Sequence, residues 1–240
     1  MEKINILGIN LAKAGKTEIL KTIGAFLIDG KKHYLVTPNP EMLLLAEKDE
    51  EFFHILNKAD IAIPDGTGLK FAALAMGKNL KITAGSDLTG EIFELARKMK
   101  MKVAVMNWEK SLSRKEDIAG ALKKKYPGLS FEVLAVSRTV KSAPTTNAEI
   151  IFCDQGATFQ EKFIYHNLIK WPNARLAIGV GGAFDFLTGK IKRAPGFMRA
   201  AGLEWVWRLL REPKKRYKRI INAVIVFPAK FIAWRFFKDK

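Results

Sequence analysis

The chain has 240 residues, 48% of them hydrophobic, and carries 41 Lys and Arg against 24 Asp and Glu, a formal charge of +17. That length fits one large domain or a domain with an appendage, and the charge calls for an anionic partner: nucleic acid, anionic lipid or a phosphorylated substrate. A single cysteine, Cys153, excludes an internal disulfide, and His33, His54 and His166 show no metal-ligand spacing, so no metal site is expected.

Met1–Ile6 is expected to open directly as a strand, without the basic-then-apolar layout of a signal peptide. Strands are expected near 3–9, 33–37, 60–63, 102–106, 131–136, 149–153 and 175–180. Helices are expected near 15–29, 40–57 (broken), 67–76, 86–99, 113–125, 158–169 and 198–211. Alternation of this kind predicts an α/β class: a Rossmann-like, mainly parallel sheet with helices on both faces. A boundary is expected near residue 190, with an α/β core over 1–190 and a basic amphipathic helical appendage over 191–240. Thirteen of the basic residues but only three acids fall in Arg193–Lys240.

Within that appendage, Glu204-Trp-Val-Trp-Arg-Leu-Leu-Arg211 interleaves two tryptophans with two arginines. Residues 220–237 are strongly apolar but interrupted by Pro228, Lys230 and Arg235. A helix lying in a membrane interface fits this better than one that spans. The polybasic run 214–219 before it adds attraction to anionic lipid, about 1 kcal/mol per basic residue near the surface. Nucleic-acid binding is the weaker reading of the same charge, because the basic tail is also apolar.

The candidate chemistry sits at strand ends, where open α/β sheets bind ligands. Pro64-Asp65-Gly66-Thr67-Gly68 follows one strand-like run and Thr37-Pro38-Asn39-Pro40 follows another. Asp65 suits a general base or a ligand to a sugar hydroxyl, and equally a turn aspartate. Thr37 and Asn39 stand in a loop stiffened by two prolines, either as substrate contacts or as a plain connector. Gly85, Ser86 and Asp87 read as a helix N-terminus that receives phosphate, or as its caps. Gln160 and Glu161 open a helix after the strand ending at Cys153, facing a nucleotide or sugar, or simply complementing the helix dipole. Gly181, Gly182 and Asp185 end a further strand in a glycine run that lacks the Lys-Ser/Thr of a P-loop. Arg193 is either solvated or a diphosphate ligand.

Taken together these segments resemble the WecG/TagA/CpsF family of bacterial glycosyltransferases. The matching pieces are Val36-Thr-Pro-Asn-Pro-Glu41, Ala59 through Gly68, Gly85-Ser-Asp-Leu88, Gln160-Glu161, Ile178 through Phe186, Arg193-Ala-Pro195 and Gly202-Leu-Glu-Trp205 with Arg208-Leu209 and Glu212-Pro213. The resemblance implies an inverting transferase with no cofactor and no required metal. It implies a UDP-sugar donor, N-acetylmannosamine by default, and a polyprenyl-diphosphate-linked sugar acceptor, used in cell-surface polysaccharide or teichoic acid synthesis at the cytoplasmic face of the membrane. Asp65 would be the base, with Thr37 beside it and Asn39, Gly85, Asp87, Gln160, Glu161, Gly181, Gly182, Asp185 and Arg193 binding substrate. Arg208, Arg211, Arg216 and Arg219 would meet the acceptor diphosphate or the membrane. Self-association is also implied, and no nucleic-acid partner. Three segments depart from the family pattern: 106–113 has no glycine, 154–161 has lost a glycine, a proline and a lysine, and Ile82 stands where an arginine is common. Those departures leave a second expectation, a non-catalytic member that binds a glycan lipid or a partner enzyme.

Overall fold

The computed structural model describes residues 1–138, 143–200 and 202–237; the side chains at 199, 200, 208 and 214–216 also lie outside the described residues. The chain opens with a hairpin, β1 (Lys3–Ile6) paired antiparallel to β2 (Ile9–Ala12). The single strand expected over 3–9 is therefore two strands. Leu7 and Gly8 both take positive φ, 49° and 81°, which is the geometry of a tight hairpin turn. Glycine suits position 8, since its φ is positive and an added Cβ would lie 2.9 Å from the Phe53 ring.

Six further strands form the main sheet: β3 (His33–Val36), β4 (Ile61–Ala62), β5 (Val103–Trp108), β6 (Phe131–Val136), β7 (Ile150–Cys153) and β8 (Leu176–Gly179). Their order is β4-β3-β8-β7-β5-β6, and every pairing is parallel. β7 and β8 are buried at every position, as expected of strands covered on both faces. The helices that cover them are α1 (Lys16–Ile28), α2 (Pro40–Ala46), α3 (Glu50–Lys58), α4 (Thr67–Ala75), α5 (Gly85–Lys98), α6 (Lys115–Lys125), α7 (Phe159–Asn167) and α8 (Ala183–Leu187). Alternate strand residues separate into two cores. Val103, Val105, Ile150 and Phe152 pack with α1, α5, α6 and α8; Ala104, Met106, Ile151 and Cys153 pack with α2, α3, α4 and α7.

The broken helix expected at 40–57 is α2 and α3, each with its own cap. Asn39 accepts from the Met42 N–H at 3.0 Å, and Asp49 accepts from the Phe52 N–H at 3.0 Å. The single helix expected at 198–211 is likewise two, α9 (Gly196–Ala200) and α10 (Glu204–Arg211). Gly202 separates them at φ 71°, so close to Thr67 that an added Cβ would collide with its methyl group. Beyond α10 the chain is helical almost without pause: α11 (Pro213–Ile221), a π-helical turn over Asn222–Val226, then α12 (Phe227–Phe237). Pro228 does not end this helix. A proline removes one N–H and crowds the preceding turn, and the wider turn just before it makes the room.

The tail folds back on the core. Phe227 and Phe231 are buried in the α2/α4 side of the sheet, and Lys230 pairs with Glu47 at 3.2 Å. Tyr217–Phe237 is long and apolar enough to cross a membrane by length and composition, with a mean hydropathy of 1.6, and little of it is buried.

Candidate active site

Parallel strands send all their carboxyl ends to one edge, so the loops after β3, β4, β7 and β8 meet there. A cavity of about 840 Å³ opens between these loops and the tail. Asp65 forms part of its floor. Its own N–H donates to the Pro38 carbonyl at 2.8 Å, locking the loop after β4 to the loop after β3. Its Oδ2 accepts from the Gly85 N–H at 3.3 Å, at the first turn of α5. A Cβ on Gly85 would lie 3.4 Å from Thr37 Oγ1 and 3.6 Å from Asp65 Oδ2, so glycine lets all three groups converge.

Burial raises the Asp65 pKa to about 6. The Gly85 and Gly66 N–H groups oppose that shift, while the charges of Glu204 and Asp87 add to it. The residue is half-buried: protein surrounds it, yet the cavity reaches it. Glu204 comes from α10 in the tail and also lines the cavity. Sequence reasoning gave this residue no role, although it stands in a segment that carried the resemblance.

Gln160 holds two loops together. Its Oε1 accepts from the Gly156 N–H at 3.2 Å and from the Gly181 N–H at 2.9 Å, and its Nε2 donates to Glu161 Oε1 at 2.7 Å. An added Cβ at Gly179 would come within 2.5 Å of that amide, so this glycine serves close packing of a side chain. Glu161 is buried behind it, with a pKa raised to about 7 by burial. Gly181 and Gly182 line the cavity at the start of α8.

Other expected site residues are engaged elsewhere. Asp87 and Arg193 bind each other, with Arg193 Nη2 also donating to Ser86 Oγ at 2.9 Å; neither Asp87 nor Arg193 lines the cavity. Asp185 Oδ1 accepts from Ser113 Oγ at 2.8 Å, which ties α8 to the loop after β5. Asn39 lines the cavity while capping α2. Arg219 lines it too, paired with Glu41. Arg211 stacks on Trp207 of its own helix, 4.7 Å from the ring centroid, and stays outside. The side chains of Arg208 and Arg216 lie outside the described residues.

The glycine-free segment 106–113 is closed by side chains. Asn107 Nδ2 donates to Ser111 Oγ, to the Ser113 carbonyl and to Asp154 Oδ2, at 2.7–3.0 Å. Asp154 Oδ1 accepts from the Trp108 N–H at 2.6 Å, and burial still raises its pKa to about 7. Arg138 lies against Trp108 and Phe159, 3.6 and 4.6 Å from their ring centroids, and donates to the Gln155 carbonyl at 2.7 Å. Neither Arg138 nor Asn107 was marked by the sequence, because the partners that place them, Gln155 and Asp154, lie further along the chain.

The cavity thus joins a carboxylate at the strand ends, several glycines and a cationic tail residue, Arg219. Residues 4–240 match the Glycosyl transferase WecG/TagA/CpsF family. The chain belongs to this family. Among its relatives is the N-acetylglucosaminyldiphosphoundecaprenol N-acetyl-beta-D-mannosaminyltransferase of Bacillus subtilis (strain 168). It is 28% identical over 230 residues, covering 92% of this chain and 88% of the relative. The proteins of the same name from Bacillus spizizenii and Staphylococcus aureus (strain MRSA252) are 29% and 26% identical. They cover 82% and 89% of this chain and 78% and 86% of their own lengths. The tail lies within the residues that match the family.

Proposed function

We propose that the protein transfers a hexose, N-acetylmannosamine in the first instance, from a UDP-sugar to a sugar hydroxyl of a polyprenyl-diphosphate-linked acceptor, inverting the anomeric carbon. The observation that carries this reading is Asp65: a carboxylate on the floor of a large cavity, anchored by a helix N-terminus, with its pKa raised to about 6. A base of that strength is deprotonated at neutral pH and still takes a proton readily. In the proposed step Asp65 removes the proton of the acceptor hydroxyl. The oxygen attacks the anomeric carbon in line with the bond to the diphosphate. That bond breaks, and UDP leaves with the electron pair. One displacement inverts the centre.

Thr37, Asn39 and the Gly181–Gly182 turn line the space around the reacting sugar. The N-termini of α5 and α8 and the tail arginines offset the diphosphate charge. The pair of Asp87 and Arg193 fixes the start of α5, and so the Gly85 N–H that Asp65 uses. Residues 191–240 would act as the appendage that brings the core to lipid. Its exposed Ile225, Phe236 and Phe237 lie in the interface and its basic residues meet the headgroups at the cytoplasmic face.

The test is transfer by Asp65→Asn to a short-chain lipid-linked acceptor, read by mass spectrometry. Loss of a base costs roughly 10²–10⁴ in rate; near-normal turnover removes Asp65 from this role. The side-chain closure of 106–113 favours a second reading, a member that binds without catalysis. Calorimetric titration with a panel of UDP-sugars separates the two, because a catalyst must bind one of them.

A further inference from the structure

The cavity over Asp65 changes character along its length. Its floor is polar, with Thr37, Asp65 and Gln160 at the strand ends. Its outer half runs between α4 and the tail helix, where Phe71 and Ala75 face Val224, Pro228 and Ile232. Phe71 and Ala75 in α4, and Pro228 and Ile232 in α12, stand four residues apart, the spacing that places side chains on one helical face; Val224 precedes them in the π-helical turn. These are not residues hidden in a core. Phe71, Val224 and Ile232 are 66%, 51% and 54% exposed. Two facing apolar stripes left open are more than the scattered hydrophobic residues of an ordinary surface.

Contacts between the tail and the core set the position of the stripes. A Cβ on Gly68 would lie 3.8 Å from the Ala223 carbonyl, so the tail helix starts its run beside the Asp65 loop. It then follows α4 outward, with Phe227 and Phe231 buried beneath. Pro228 and Ile232 in α12 are four residues apart, a rise of about 6 Å. Arg219, which also lines the cavity, stands four residues before Ala223 and pairs with Glu41 at the start of α2.

We infer that this channel binds the first isoprene units of the lipid-linked acceptor. The inference rests on the acceptor class proposed above. It adds a site for the hydrocarbon, distinct from membrane attachment in general. Carboxylate, cation and apolar channel occur in one continuous cavity. Sugar hydroxyl, diphosphate and hydrocarbon occur in one acceptor molecule. The lipid of such an acceptor must leave the site somewhere, and this channel gives it an apolar exit in the cavity that holds Asp65. Burial of each methylene there tightens binding by about fourfold.

The probe is a farnesyl diphosphate analogue carrying a diazirine on its chain, photolysed with the full-length protein without vesicles and mapped by peptide mass spectrometry. Labelling is expected within 67–76 and 220–237, reduced by farnesyl diphosphate and unaffected by inorganic diphosphate. Labelling elsewhere, equal protection by inorganic diphosphate, or labelling that needs vesicles overturns the inference. A second measurement compares KM for two acceptors with one headgroup, one chain of farnesyl length and one of two carbons. The wild type is expected to favour the longer chain at least tenfold, and Ala75→Trp or Val224→Trp to bring that ratio close to one. A ratio unchanged by both substitutions overturns the inference as well. Labelling needs no sugar transfer. A protein that labels in the channel but transfers nothing keeps the channel and loses the proposed reaction. One that transfers regardless of chain length does the reverse.

Discussion

Replacing Glu161 by Gln tests the electrostatics of the strand ends through stability alone. Glu161 is 1% exposed; its Oε1 accepts from Gln160, and its Oε2 has no partner among the described residues. Burial moves its pKa from 4.5 to about 7. A shift of that size corresponds to about 3 kcal/mol at about 1.4 kcal/mol per unit. The sign comes from counting protons. Between about pH 4.5 and 7 the folded chain holds a proton that the unfolded chain has released, so stability falls as the pH rises through this window. Asp65 and Asp154, raised by burial to about 6 and about 7, add slopes of the same sign. The substitution removes only the share of Glu161. In urea denaturation at pH 5 and pH 8, the wild type is expected to lose about 2–3 kcal/mol more than Glu161→Gln between the two. Parallel pH dependences for the two proteins refute the reasoning, because they require the Glu161 carboxylate to be solvated or paired when ionised.

Three further outcomes follow from the same geometry. The kcat/KM for sugar transfer is expected to fall below about pH 6, where Asp65 becomes protonated and ceases to act as a base; a profile flat from pH 5 to 8 contradicts this. Glu204→Gln removes a negative charge that raises the Asp65 pKa, so the acid limb of that profile moves to lower pH. An unmoved limb separates the tail from the base. Gly179→Ala drives a methyl group into the Gln160 amide, at a cost of about 1–3 kcal/mol. In a double-mutant cycle much of that cost disappears on Gln160→Ala, and strict additivity shows that the clash lies elsewhere.

Much of the fold was legible because strands buried on both faces leave plain apolar runs, such as Ile150–Cys153 and Leu176–Gly179. The hairpin at 3–12 was not, because Leu7-Gly8 lacks the usual Asn or Asp of such turns and a leucine rarely adopts positive φ. Helix α8 is only five residues long, too short for a helical period to show. Gly202 divides α9 from α10 through contact with Thr67, far away in the chain. The strand-end residues Thr37, Asn39 and Asp65 were legible for a topological reason, since a parallel sheet gathers those ends at one edge. What was hidden depends on long separations: Asn107 with Asp154, Asp87 with Arg193, and Glu41 with Arg219.

The behaviour of Asp65 depends on two opposed influences from different parts of the chain. Gly66 and Gly85 offer backbone N–H groups, and the N-terminus of α5 adds a favourable field for negative charge. Alone, these would hold the carboxylate ionised and make it a weak base. Burial and the charge of Glu204 act the other way, raising its pKa and disfavouring the ionised form. Only together do they give a group that is charged at neutral pH and still basic. One of the opposing contributions belongs to α10, so the tail takes part in setting the acidity of Asp65. It brings a second carboxylate, Glu204, into the cavity that holds Asp65, and the acidity of Asp65 depends on where that helix lies.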